Sequence, residues 1–147
     1  MNVQVSCIAL TSVALFSMCV APTQAGVGAG LRNAGSFALG GVGVAGTMSP
    51  GERSLREVLH ESDAVAQLER ALPDATPAGQ LYALLGLRIR DRTAYQRALE
   101  KYRANDVQVE TMRGCILQQE SFRDLIEQIE HGDYDSFLKR EWPAQAR

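Results

Sequence analysis

Charge is what the first third of this chain lacks. Residues 1–48 carry one charged side chain, Arg32, while residues 49–147 carry the other 31 of the 32. Cysteine is scarce: Cys7 and Cys19 fall in the uncharged leader and Cys115 stands alone in the charged part. Once the leader is removed, that excludes an intramolecular disulfide framework. There are two histidines, His60 and His131, too few for a histidine-built metal centre. His60-Glu61 begins like a zinc-protease helix, but Ala64 stands where the second histidine belongs. Asp133-Tyr134-Asp135 has the spacing of the start of a calcium loop, without the glycine and terminal glutamate that complete one. No metal or cofactor is therefore expected. Lysine is nearly absent, two residues against thirteen arginines, and the net charge of −2 argues against a nucleic-acid binder.

The longest apolar run, Cys7 to Val20, has 14 residues. That suits the core of a signal peptide and falls short of the roughly 20 a spanning helix needs. Pro22 breaks the run, and Thr23-Gln24-Ala25 places small residues at the cleavage positions. The reading is a signal peptide over residues 1–25, although its first residues carry no Lys or Arg. Met18 before Cys19 fits lipid attachment poorly. Residues 26–48 hold eight of the thirteen glycines. Glycine loses much backbone entropy on ordering and offers no side chain to pack, so this stretch is expected to be a flexible linker. An alternative takes the small residues of 34–48 as a membrane-associating segment. The glycines form no phosphate loop, since no Gly-Lys-Ser/Thr follows.

From Ser49 the pattern is helical. Ser49, Pro50 and Glu52 make a capping signature ahead of Leu55, Val58, Leu59, Val65, Leu68 and Leu72. They predict one long helix over 50–72, kinked near Ser62-Asp63. Pro73 ends it and Thr76-Pro77 starts the next, whose Leu81, Tyr82, Leu84, Leu85, Leu87 and Ile89 leave little polar face and mark it as the centre of the core. Asp91 caps a third helix, with Tyr95, Ala98, Leu99 and Tyr102 on one stripe. Val107 to Gln119 is expected to be a short helix or irregular turn: Val107 and Val109 alternate like a strand, but no second strand is evident to pair with them. Ser121 caps a helix carrying Phe122, Leu125, Ile126 and Ile129. His131-Gly132 stops it, and Asp133 starts a last short helix before Trp142-Pro143. The fold expected is all-α: a small bundle or short array of five to six antiparallel helices over residues 49–143, after a disordered glycine-rich leader and before a disordered tail at 144–147.

Ala78 to Leu87 (AGQLYALLGL), with Val109 to Ile116 (VETMRGCI) downstream, resembles a pattern in short exported bacterial proteins of unknown function. It covers under a fifth of the chain and implies no activity.

Two features remain as candidate sites. Arg88, Arg90, Arg92, Arg97 and Arg103 cluster in sequence and form a candidate docking face, since arginine suits bidentate contacts. Intramolecular pairing on a solvated surface is the plainer reading. Cys115 lies beside Met112, Ile116 and Leu117, which predicts a buried thiol; pairing with another molecule is the alternative, and neither histidine is placed by sequence to activate it. No catalytic constellation is present. The function expected is an exported, non-enzymatic helical domain, periplasmic or extracellular, that binds a protein or an envelope component. The alternative is a membrane-associated protein anchored by an uncleaved N-terminus.

Overall fold

The glycine-rich stretch folds. The computed structural model describes residues 27–138; the signal-peptide and cleavage expectations for residues 1–25, and those for Trp142-Pro143 and the 144–147 tail, lie outside these residues. Within them α1 spans Val27–Arg32, and a first hairpin pairs β1 (Gly41–Val42) with β2 (Thr47–Met48). Leu31, Ala34, Phe37 and Leu39 all lie in the main hydrophobic core. The disordered leader is therefore a correction: Leu31, Ala34 and Phe37 to Leu39 anchor the stretch in the core, while residues 43–48 form an exposed hairpin arm.

The all-α fold is the second correction. The described residues form seven helices and two antiparallel hairpins, a mixed α and β fold. The second hairpin pairs β3 (Gln108–Arg113) with β4 (Ile116–Ser121), over the segment expected to be helix or turn. Its register sets Arg113 opposite Ile116, which leaves Gly114-Cys115 as a two-residue connection. Gly114 has φ +59°, the positive φ that the primed hairpin turns require at their first central residue. Strand preference depends on pairing and burial more than on residue type. Ile-Leu-Gln-Gln-Glu-Ser carries no such signal on its own.

The helices follow local rules. Ser49 Oγ accepts the Glu52 N–H at 3.1 Å to start α2 (Pro50–His60). The single long helix instead breaks at residues 61–63, and α3 runs Ala64–Ala71 into a 3-10 turn at Leu72–Asp74. The cause is the phase of the apolar residues. At 3.6 residues per turn, Leu55, Val58 and Leu59 share one face, while Ala64, Leu68 and Ala71 would fall on the opposite face of a continuous helix. All six are buried, so the chain must turn between the two sets. Helix α4 (Pro77–Arg90) is the central element, with Leu81 to Leu87 all buried. Asp91 caps α5 (Arg92–Tyr102) through the Thr93 and Ala94 N–H groups. Ser121 caps α6 (Phe122–His131), and α7 is Asp135–Leu138.

Close approach explains how α1 docks on α4. A Cβ added at Gly79 would lie 2.1 Å from the Leu31 carbonyl oxygen, a backbone atom that cannot rotate away. Gly79→Ala is expected to destabilise the protein by about 1–3 kcal/mol through overpacking, although alanine is the better helix former by about 1 kcal/mol. A shift of the urea midpoint to lower concentration measures it; an unchanged or raised midpoint contradicts the docking.

Candidate functional site

A buried polar cluster positions the glycine-rich segment. The Tyr82 hydroxyl donates to the Ala38 carbonyl at 2.7 Å and accepts the Ala38 N–H at 2.8 Å. Ser49 Oγ donates to the same carbonyl at 2.8 Å and lies 3.0 Å from the Tyr82 oxygen. Glu52, 1 % exposed, accepts the Gly40 N–H at 2.8 Å and pairs with Arg56 at 2.7 Å. Its carboxylate thus reaches 12 residues back along the chain rather than to its own helix start. Burial pushes the Tyr82 hydroxyl above its usual pKa, against the hydrogen bonds it shares with Ser49 and Ala38, so it keeps the proton it donates. These groups hold structure together.

So pinned, the segment lies along β3. The Phe37 N–H donates to the Glu110 carbonyl at 2.8 Å, the Met112 N–H to the Phe37 carbonyl at 3.4 Å, and the Gly43 N–H to the Gly114 carbonyl at 2.9 Å. One edge of β3 is covered by residues 37–43 and the other by β4. Val109 and Thr111 face inward and are buried. Thr111 Oγ1 donates to Glu120 at 2.7 Å, Gln128 Nε2 to Glu120 at 3.0 Å, and the Tyr134 hydroxyl to Gln128 at 2.6 Å. Burial works to raise the Glu120 pKa, but hydrogen bonds from Gln128 and Thr111 and the charge of Arg113 outweigh it, and the net shift is downward. A depressed carboxyl contributes stability above its unfolded pKa and loses it as pH falls through the folded value. Acid therefore weakens the seat of this hairpin.

The outer edge of β4 is the open feature of the molecule. With Met112 N–H and Glu110 C=O turned toward Phe37, the β3–β4 ladder bonds run through Val109–Glu120, Thr111–Gln118 and Arg113–Ile116. The N–H and C=O groups of Leu117 and Gln119 then point away from β3, and no described strand pairs with them. Ile116 and Leu117 are 61 % and 56 % exposed, and Val44, in the neighbouring hairpin turn, is 99 % exposed. Val42 bridges to Gly114, so the two hairpin tips sit side by side. Cys115 is exposed in the turn itself. That corrects the buried thiol: Met112, Cys115 and Ile116 share a face only in a helix, and a hairpin apex lifts the side chain away from the core.

The arginines disperse. Arg88 pairs with Asp135 and reaches the Glu130 carbonyl, Arg97 pairs with Glu69 at 3.0 Å, and Arg103 with Glu130 at 2.9 Å. Arg90 and Arg92 make no ion pair among the described residues. Between α5 and α6 an open groove of about 560 Å³ is lined by Glu100, Arg103, Arg123, Ile126, Glu127 and Glu130. Its charge is mixed, and it selects no ligand class. The Tyr95 hydroxyl is buried without a hydrogen-bond partner among the described residues. Burial, then Glu130, against Arg88, Arg103 and Arg92, push its pKa up to about 12; burial does the same to Tyr134.

A raised phenol contributes stability that is complete below its unfolded pKa near 10 and is lost as pH rises through about 12. Alkaline unfolding is thus expected between about pH 10 and 12, with tyrosinate absorbance appearing in step with loss of helical circular dichroism. Tyrosinate formation complete near pH 10 with helicity intact contradicts the burial of these rings. No group of three or more His, Cys, Asp or Glu suited to a metal ion occurs among the described residues, and none of their helices is long and apolar enough to cross a membrane.

Sequence reasoning missed the edge. The one signal for it was Gly114 between two six-residue runs, the first with Val109 and Thr111 alternating. No family model matches the chain, and neither a curated protein nor a solved structure is detectably similar to it.

Proposed function

We propose that this chain is an exported, non-enzymatic interaction module that takes an extended segment of its partner onto the open edge of β4. The observation that carries the reading is the outward-facing backbone of Leu117 and Gln119, beside the exposed Ile116 and Leu117 side chains. An unpaired strand edge is a template for another strand: its main-chain groups supply hydrogen bonds and the alternating side chains select the partner. Edges that must stay unpaired carry lysine, proline or a bulge; Ile116 to Gln119 has no charge and no proline. Export rests on the sequence of residues 1–25. The non-enzymatic reading rests on Ser49, Glu52 and Tyr82, whose polar atoms are engaged in holding backbone.

The test is a photo-crosslinking residue at Gln119 of the full chain in the cells that make it, with Gln96 on α5 as control. A discrete adduct at Gln119, absent at Gln96 and lost when Leu117→Pro is added, is the expected result. Leu117→Pro removes an outward N–H and leaves the β3 ladder its bonds. The same adducts at both positions, or none at Gln119, overturn the reading.

A further inference from the structure

We propose that the strand seated on β4 is β4 of a second copy of this chain, antiparallel, with the twofold axis at Gln118. This rests on the open-edge reading and names its partner.

The edge is its own complement. Leu117 and Gln119 present their N–H and C=O groups outward on either side of Gln118. A twofold axis there sets Leu117 against the partner's Gln119 as a hydrogen-bonded pair, twice over, for four backbone hydrogen bonds. Gln118 then meets the partner's Gln118 as a non-hydrogen-bonded pair, the closer of the two kinds. A glutamine amide both donates and accepts, so these side chains pair with themselves.

Charge agrees with this register. A symmetric antiparallel pair brings like charges together when a charge lies at its centre, and Ile116 to Gln119 carries none. The first charge outward is Glu120, which falls opposite the partner's Ile116. One strand further across, on the same face, is the partner's Arg113, since Arg113 is the cross-strand neighbour of Ile116. The Arg113 side chain is exposed and lies 3.5 Å from its own Glu120, close enough to the edge to be shared. Each end of the pair thus brings a carboxylate toward an arginine. The contact is small against the roughly 1,200–2,000 Å² of a stable interface, so the dimer is reversible, forms at high local concentration and is best caught covalently.

The register fixes the trap. In the full chain with Cys7, Cys19 and Cys115 each replaced by serine, Gln118→Cys places two thiols about 4.5 Å apart at Cα, within disulfide range. Gln119→Cys lies two residues out of step with its copy, and Gln108→Cys sits on the inner strand. Under mild oxidation Gln118→Cys is expected to form dimer on non-reducing gels at least tenfold faster than either control. Equal rates at the three positions, or the fastest at 119, overturn the proposal. The Gln119 photo-adduct separates this failure from that of the open-edge reading. An adduct to a different protein with no Gln118 trap leaves the edge standing and removes the second copy; loss of both removes the edge.

Discussion

Replacing Phe37 by alanine is expected to cost about 3–5 kcal/mol, the range for deleting a large buried aromatic side chain. The ring is 2 % exposed and packs against Tyr82 at 4.8 Å between centroids and Tyr134 at 5.1 Å, nearly edge-on to the second. It joins three distant parts of the chain: the glycine-rich segment, the central helix α4 and the turn after α6. Such aromatic pairs add about 0.5–1.5 kcal/mol beyond their buried area. Truncation loses both contacts and leaves a void that a helix-lined core closes only in part. A disordered linker at 26–48 predicts almost no effect, because nothing would contact the ring. Urea unfolding separates the two directly: a midpoint lowered by 1 M or more, for a slope of about 1–3 kcal/mol per molar, supports the packed segment. An unchanged midpoint refutes it.

Removing the Glu52 carboxylate is the second large effect. Glu52→Ala is expected to cost about 3 kcal/mol, because it takes the acceptor from the Gly40 N–H and one charged partner from Arg56 in a nearly water-free place. Arg56 also donates to the Phe137 carbonyl, so the same carboxylate steadies the approach of α7. Glu52→Gln keeps an acceptor for Gly40 and loses the charge, and its cost should fall between wild type and alanine. The control is Glu69→Ala, which breaks the exposed Arg97–Glu69 pair at under about 1 kcal/mol. Glu52→Ala no worse than Glu69→Ala contradicts the clamp.

Local grammar and long-range pairing were unequally legible in the sequence. Ser49, Thr76, Asp91 and Ser121 each cap the helix expected of them, because a cap depends on residues two or three positions away. The apolar run of α4 marked the core for the same reason. What failed depends on distance. Phe37 meets Tyr82 and the Glu110 carbonyl across 45 and 73 residues. The backbone entropy that glycine loses at 26–48 is offset by Tyr82, Ser49 and Glu52, which lie outside the segment and satisfy the backbone at Ala38 and Gly40. Strand β4 went unseen because its partner β3 defines it. The five arginines from 88 to 103 cluster in sequence, yet the carboxylates that pair with three of them, Glu69, Glu130 and Asp135, come from three other helices. The open edge is made of backbone, and Gly114 between two six-residue runs pointed only to the hairpin that carries it.

Hydrogen exchange of the β4 amides in dilute solution reads the open edge amide by amide. A strand paired on one side alternates: Gln118 and Glu120 should exchange slowly, bonded to Thr111 and Val109, while Leu117 and Gln119 exchange at nearly the rate of an open chain. Protection of Leu117 and Gln119 should then grow with protein concentration as a second strand arrives. Fast exchange at all four amides would contradict the hairpin, and slow exchange at all four in dilute solution would show that the edge is already covered.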